Sequence, residues 1–357
     1  MIYDKLIREW GEERARRYLA ANQRAVEQFR SLAKEIDCGF EERDNWVYSM
    51  DDVDKIQKEQ AALHRLGFNA PAVSAVPLPL SVARALSFPR QAQFHPLKFA
   101  AAISRGLHIY EHTKVRELAP HKAVTEGGTI HAKRMVIATH FPMLNKHGGY
   151  FMKMYQHRSY VLALQDAQVP DGMYLDEASS GLSFRGYGDV LLLGGGSHRT
   201  GKQGGGWQEL EAFARTHYPQ AKEVCRWAAQ DCMTLDGIPY IGLYSRRTEG
   251  LYVATGFNKW GMSSSMVAAE LLRDLLTGKK NEDAELFSPS RRMLRAPLAR
   301  NALEAARSFV SPTTPRCPHL GCALKYNKEE HSWDCPCHGS RFDEDGKLLD
   351  GPATDDK

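Results

Sequence analysis

The sequence holds no apolar run of about 18 residues, the shortest that reads as a membrane-crossing helix. Its opening, MIYDKLIREWGEERARRYL, is a charged amphipathic stretch without the apolar centre of a secretory signal. Excess charge is also missing. Forty-seven Lys and Arg against 43 Asp and Glu leave a formal net charge of +4, which gives no nucleic-acid footprint. Seven cysteines in 357 residues do not make a secreted disulfide scaffold. The expectation is a cytoplasmic chain with no transmembrane segment and no nucleic-acid partner, with peripheral contact to a membrane left open. Nowhere does Gly-x-Gly-x-x-Gly join a strand to a helix, the turn that brings a backbone onto a dinucleotide pyrophosphate. Gly194-Gly195-Gly196 and Gly204-Gly205-Gly206 lack that spacing and read as flexible segments, a hairpin or active-site loop. What remains is an ordinary globular composition, 43% hydrophobic and 25% charged, long enough for two domains.

Residues 2–36 carry apolar positions at helical spacing, among them Leu6, Trp10, Tyr18, Leu19, Val26, Phe29 and Ile36, with Gly11 as a possible break. Trp46–Tyr48 is a short strand candidate. Ser49, with Asp52 three residues on, is expected to cap a helix that ends before Gly67. The 71–90 stretch is Pro-rich and mostly extended. A helix is expected after His95-Pro96, strands at 108–118, 129–132 and 134–139, and further strands at 155–164, 181–187 and 190–193. A helix over 209–217 follows.

The most informative stretch lies near the C-terminus. Cys317-Pro318-His319-Leu320-Gly321-Cys322 is followed, after a spacer, by Cys335-Pro336-Cys337-His338-Gly339-Ser340. Each half offers one Cys and one His: Cys317 with His319, and Cys335 with His338. Two thiolates and two imidazoles can hold a tetrahedral zinc, or a [2Fe-2S] cluster with Cys on one iron and His on the other. Zinc sites usually pair Cys with Cys and His with His, whereas each half here mixes the two. The two segments resemble the cluster-binding loops of Rieske proteins. In that family two further cysteines tie the loops together, which implies a Cys322–Cys337 disulfide. Zinc stays as an alternative. Ser340 stands where a hydroxyl could bond a cluster sulfur or simply cap a turn.

Other segments carry a second resemblance. They are the His95-Pro96 helix start, the Lys114-Val115 strand, the Val136-Ile137-Ala138-Thr139 turn, Asp231–Gly242 and Leu251–Met262. In this order they resemble the D-amino-acid-oxidase-like (DAO) family of FAD-dependent oxidoreductases across residues 1–290. The resemblance implies that Val115, Thr139, Gly237, Gly256, Phe257, Gly261 and Met262 contact FAD. The strand into Gly256 and the helix after Gly261 would turn backbone N–H groups towards the electron-rich edge of a reduced flavin. The family opens with the Gly-x-Gly-x-x-Gly unit that this sequence lacks. The expectation is therefore an N-terminally incomplete domain, with weak or absent FAD binding by this chain alone.

The expected fold is α/β (α+β). A Rossmann-type FAD/NAD(P)-binding-like part (85–140 and 231–280) is joined to an antiparallel-sheet substrate part (40–84 and 141–230). A linker over 291–316 leads to a small all-β Rieske module, 317–357. That module has little core of its own, so it must lean on its cluster or dock on the flavin domain. The resemblance implies oxidation of a C–N bond of an amine or amino acid. Electrons would pass singly from FAD through the cluster to an acceptor protein or quinone. Tyr155, Arg185 and His198 are the candidate catalytic residues, with His157 and Arg158 beside them, since an Arg suits a substrate carboxylate. The rival readings are an electron carrier with a degenerate flavin domain and a zinc-stabilised binding module.

Overall fold

The computed structural model describes residues 2–143, 148–178, 181–292, 295–312 and 315–357. The chain divides into two compact units, one of residues 1–106, 159–198 and 204–229, the other of 107–158, 199–203 and 230–357.

In the first unit, helices Tyr3–Trp10 and Glu12–Leu32 meet at Gly11, whose φ of +83° suits glycine. Their apolar stripes bury Leu6, Tyr18, Leu19, Ala25 and Phe29. A third helix, Val53–Arg65, contributes the buried Glu59. Its carboxylate accepts the N–H groups of Ile2, Tyr3 and Asp4 at 2.8, 2.9 and 2.8 Å. Those are N–H groups at a helix start, which have no partner within the helix, so the buried charge and the helix terminus satisfy each other. The N-cap of the third helix is Asp52, not Ser49: Asp52 accepts from the Lys55 N–H, while Ser49 Oγ accepts from the Asp52 N–H.

The sheet runs in the order 222–234, 154–165, 190–199, 183–187, 173–176, 41–49, 84–93, 72–73. Tyr48, Tyr160, Leu162, Phe184, Leu191 and Leu193 line its core with Leu210 of the Gly206–His217 helix. Strand Arg84–Gln93 pairs with Glu41–Ser49. Residues 84–93 therefore pair into the antiparallel sheet, within the first compact unit. The triple glycine at 194–196 is not a loop but lies within strand Val190–Arg199. A Cβ at Gly194 would lie 2.5 Å from Ser183 Oγ, and one at Gly196 2.1 Å from the Gly206 carbonyl. Glycine is there because the backbone passes neighbours too closely for any side chain.

In the second unit, strands Tyr240–Leu243, Leu251–Thr255 and Met135–Ile137 form a sheet in that order, the last two parallel. The helix Gly261–Leu276 follows the central strand. A meander of Val115–Ala119, Lys122–Thr125 and Gly128–His131 forms a separate sheet. The strand expected over 108–118 is confined to Val115–Ala119; Leu107, Ile109 and Tyr110 are exposed and pair with nothing in the ladder. Ile137, Phe141, Tyr150, Met154, Tyr240 and Val253 form the local core. Asp236 is fully buried and bidentate with Arg291, at 2.8 Å to both Nε and a terminal nitrogen. Arg291 also lies 3.9 Å over the Tyr240 ring.

Helix Arg295–Val310 fills most of the stretch expected as a linker. Its sequence, RAPLARNALEAARSFV, is rich in strong helix formers, and Ala305 packs on the module that follows. That module is an antiparallel sheet of Lys325–Asn327, Ser332–Asp334, Arg341–Phe342 and Leu348–Asp350. Its core holds four cysteines with Leu324, Phe342 and Ala353. Among the described residues no helix is long and apolar enough to cross a membrane.

Candidate metal centre and flavin face

The two cysteine loops share one wiring. In the first, the Cys317 N–H donates to the Cys322 carbonyl (2.9 Å) and the Gly321 N–H returns to the Cys317 carbonyl (2.8 Å). In the second, the Cys335 N–H donates to Ser340 (2.8 Å) and the Gly339 N–H returns to Cys335 (2.9 Å). Gly321 and Gly339 sit at φ of +78° and +84°, a left-handed turn that explains the glycine at the same offset in both loops. Cys322 and Cys337 are joined in a disulfide, with Cα atoms 6.7 Å apart.

The wiring brings the four expected ligands together. The His319 and His338 rings meet edge-on, 5.0 Å between centroids. The ligand atoms of Cys335, Cys322 and His338 lie within 4.8 Å of one another. The Cys335 thiol donates to Cys317 and holds the Cys317 thiol below its ordinary value, against the opposing effect of burial. The N–H groups of His319 and Leu320 and the Ser340 hydroxyl act in the same direction. Sharing that proton, together with burial, raises Cys335 well above the ordinary thiol range. Burial lowers His319 to about 4, and burial with the charges of His319 and Arg199 lowers His338 to about 3. Both imidazoles are neutral at pH 7 and offer lone pairs, and neither ring nitrogen of His338 has a hydrogen-bond partner among the described residues. Neutral imidazoles beside a stabilised, buried thiolate fit a Rieske-type cluster. Ser340 Oγ also accepts from the Ala353 N–H at 3.0 Å, so one hydroxyl braces both the module and the thiolate.

The module is seated on strand ends of its own compact unit. Strand Met154–Gln165 alternates buried and half-buried residues, and its inward row reads Met154, Gln156, Arg158. Arg158 makes a two-pronged ion pair with Glu330, its Nε at 3.0 Å from Oε2. Glu330 also accepts from Arg341 at 2.8 Å, and Arg341 holds Asp334 at 3.0 Å. Arg158, grouped from sequence with the substrate residues, is thus committed to the module. Its charge needed a buried partner, and the module supplies one. Gln230 donates to the Gly339 carbonyl at 2.9 Å and to Asp350 at 3.1 Å. A Cβ at Gly339 would lie 2.2 Å from Gln156 Cγ, and one at Gly201 2.6 Å from Pro336 Cβ. The His338 ring lies against Phe141 (5.8 Å) and Phe151 (5.9 Å).

Phe141 belongs to the turn after strand Met135–Ile137. Thr139 Oγ1 donates to its carbonyl at 3.0 Å, and Thr255 Oγ1 donates to the carbonyl of His140. The ends of the two parallel strands therefore meet here, where open α/β sheets take their ligands. The Gly256–Met262 turn continues from Thr255 through Asn258 and Lys259, both at positive φ. Asn258 holds the turn from inside: its amide oxygen accepts the Thr234 N–H at 2.7 Å and its Nδ2 donates to Gly256. The first turn of the Gly261 helix has no side-chain cap. Its N–H groups and positive dipole end suit an anionic flavin edge, so this face fits the isoalloxazine end of FAD. Thr139, Gly256, Phe257, Gly261 and Met262 thus gather around one turn. Val115 sits at the start of the separate meander, and Gly237 (φ +80°) in the turn held by Asp236 and Arg291.

The three expected catalytic residues do not form one constellation in either unit. In the first unit Arg185 pairs across the ladder with Leu192, six residues along the strand from His198. His198 is bonded to Tyr160 Oη at 3.0 Å and stacks on its ring. In the second unit Tyr155 lies under the Arg199 guanidinium, 4.9 Å from it, while Arg199 donates to Asn301 at 2.7 Å. Sequence reasoning missed Arg199, Gln230 and Asn258. Arg199 ends its strand, Gln230 lies inside one and Asn258 in a turn, and each takes its role from distant partners.

Comparison with known proteins agrees with this layout. The FAD dependent oxidoreductase family matches residues 4–275, and the Rieske [2Fe-2S] domain matches residues 309–356. The Rieske 2Fe-2S iron-sulfur protein YhfW of Bacillus subtilis (strain 168) is 34% identical, over 99% of this chain and 82% of that protein. The cytochrome b6-f complex iron-sulfur subunit of Nostoc punctiforme is 54% identical over 37 residues, 10% of this chain and 21% of its own. Glycine oxidase from Geobacillus kaustophilus superposes with a TM-score of 0.64 at 23% identity, covering 76% of this chain and 82% of that one. L-proline dehydrogenase from P. horikoshii follows at 0.62 and 16%, covering 76% and 82%. These two share the fold.

Proposed function

We propose, for a chain that belongs to the FAD-dependent oxidoreductase family and carries a Rieske [2Fe-2S] domain, that it oxidises a C–N bond of an amine or amino acid and delivers the electrons through the cluster to an external acceptor. The family implies FAD and the Rieske domain implies the cluster. Bound together, the two groups supply two-electron abstraction from a C–N bond and one-electron delivery onward.

The residues have separable tasks. Cys317, His319, Cys335 and His338 hold the cluster, and the Cys322–Cys337 bridge ties their loops. Thr139, Gly256, Phe257, Gly261 and Met262 shape the flavin face, and Asn258 fixes its turn. Tyr155 with Arg199 above its ring offers a cationic, aromatic surface suited to a substrate carboxylate. Arg185 and His198 are kept as weaker candidates.

The observation that carries this reading is the seat of the module: the His338 ring packs on Phe141, whose carbonyl accepts from Thr139, one of the flavin-face residues. The test uses anaerobically purified protein, with absorption spectra and metal content first. A panel of amines and amino acids is then added, and samples are frozen at intervals for EPR. Substrate-dependent appearance of the reduced-cluster signal supports the proposal. A cluster without flavin turns it into a carrier, and colourless protein with zinc into a binding module. Both groups present, with no substrate on the panel reducing the cluster, would remove the C–N reading.

A further inference from the structure

The two histidine positions are not equivalent. His338 is 1% exposed, with Phe141 and Phe151 against its ring. Its loop is packed against other segments of the same unit. Pro336 lies against Gly201, Gly339 against Gln156, and the Gly339 carbonyl is taken by Gln230. Gln230 is itself held by Thr200, whose hydroxyl donates to its amide oxygen at 2.9 Å. His319 is only half-buried, between the exposed Pro318 and the half-buried Leu320. The first loop is tied to the second through the Cys322–Cys337 bridge, and the end of the Arg295–Val310 helix holds it from outside the sheet. The Ala323 N–H donates to Ser308, and Arg316 reaches the carbonyls of Phe309 and Ser311.

We propose that His338 is an inner ligand, turned to the flavin-bearing part of the chain, and His319 an outer one, at which a one-electron acceptor from solution meets the cluster. Gln230 is a positioning residue: its two N–H bonds hold the second loop in its seat. Each encounter moves one electron from the reduced cluster to the acceptor, so the electron pair from one substrate molecule leaves in two encounters. The inference rests on the reading that the site holds a [2Fe-2S] cluster.

Diethyl pyrocarbonate acylates accessible imidazole nitrogens and serves as the probe on the full-length holoprotein. Peptide mass mapping follows the rate at each histidine, with iron and acid-labile sulfide counted on the same sample. His319 should react at least about tenfold faster than His338, whose reaction must wait for local opening. Phe141→Leu combined with Phe151→Leu should bring the two rates together. Equal rates in the unmodified sequence, or His338 reacting first, with iron and sulfide complete, would overturn the inference while leaving the cluster reading intact. Missing iron and sulfide would instead overturn the cluster reading, and the inference with it. Gln230→Leu should broaden the EPR lines of the reduced cluster at unchanged iron content. An unaltered spectrum removes Gln230 from the positioning role.

Discussion

Glu330→Ala isolates what holds the module in its seat. Arg158 is 3% exposed at its side chain, and Glu330 is its carboxylate partner. Removing one member of a buried pair leaves an uncompensated charge, at a cost of about 3–5 kcal/mol. Arg341 suffers less, because Asp334 and Ser332 still accept from it at 3.0 and 2.9 Å. Arg158→Met should cost less than Glu330→Ala, since Glu330 keeps Arg341. The double variant, Arg158→Met with Glu330→Leu, replaces the pair by apolar volume and should recover most of the loss. The coupling between the two sites should then reach about 2 kcal/mol, well beyond the additivity expected of independent positions. Denaturant titration, followed both by far-ultraviolet circular dichroism and by bleaching of the cluster, measures this. The cluster signal should be lost at lower denaturant in Glu330→Ala, ahead of the bulk transition, because the seat is local. Additive single effects below about 1 kcal/mol each would refute the reasoning and make the pair an ordinary surface bridge.

Three further outcomes follow from the packing. Gly201→Ala places a Cβ 2.6 Å from Pro336 at a φ of +76°, so it should lower cluster occupancy after purification, measured as iron per chain, while Gly278→Ala, at a similar φ but with open space, should not. Glu59→Ala strips three helix-start N–H groups of their acceptor and should destabilise the chain by about 2–3 kcal/mol, read from thermal unfolding. Burial raises the Asp231 carboxyl, against the opposing charges of Lys259, His140 and Arg158. A folded pKa above the unfolded one means that the folded state binds the extra proton, so the contribution is favourable at low pH and is lost as pH rises through the folded value. Asp231→Asn should therefore be more stable than the parent at pH 7 and equal to it below about pH 3, where the carboxyl is protonated in both states. A constant difference across that range would contradict the assignment.

The cluster loops were legible in the sequence because their chemistry is local. The turn wiring needs a glycine four residues after the first Cys, and the ligand residues lie within the same six-residue loops. The helix after Gly11, the start of helix Pro96–Ile103 at His95-Pro96 and the strand into Gly256 were legible for the same reason. The reading failed where a residue's meaning lay in a distant neighbour. The triple glycine looked flexible because nothing local shows the backbone that crosses it. Arg158 looked like a substrate residue because its partner, Glu330, is 172 positions away. The stretch after Arg291 looked like a linker because its helix gains its purpose only from the module that packs on Ala305.

By itself the sequence placed two Cys and two His in a pattern that resembles the Rieske loops, and showed which family its larger part resembles. Spacing within a turn is a property of the chain alone. Tertiary structure decided that the small module is seated and not tethered, and that its two histidines face different surroundings. Both depend on long-range pairs such as Arg158 with Glu330 and Gln230 with Gly339. Only folding brings those groups to a distance at which burying them costs less than leaving them apart.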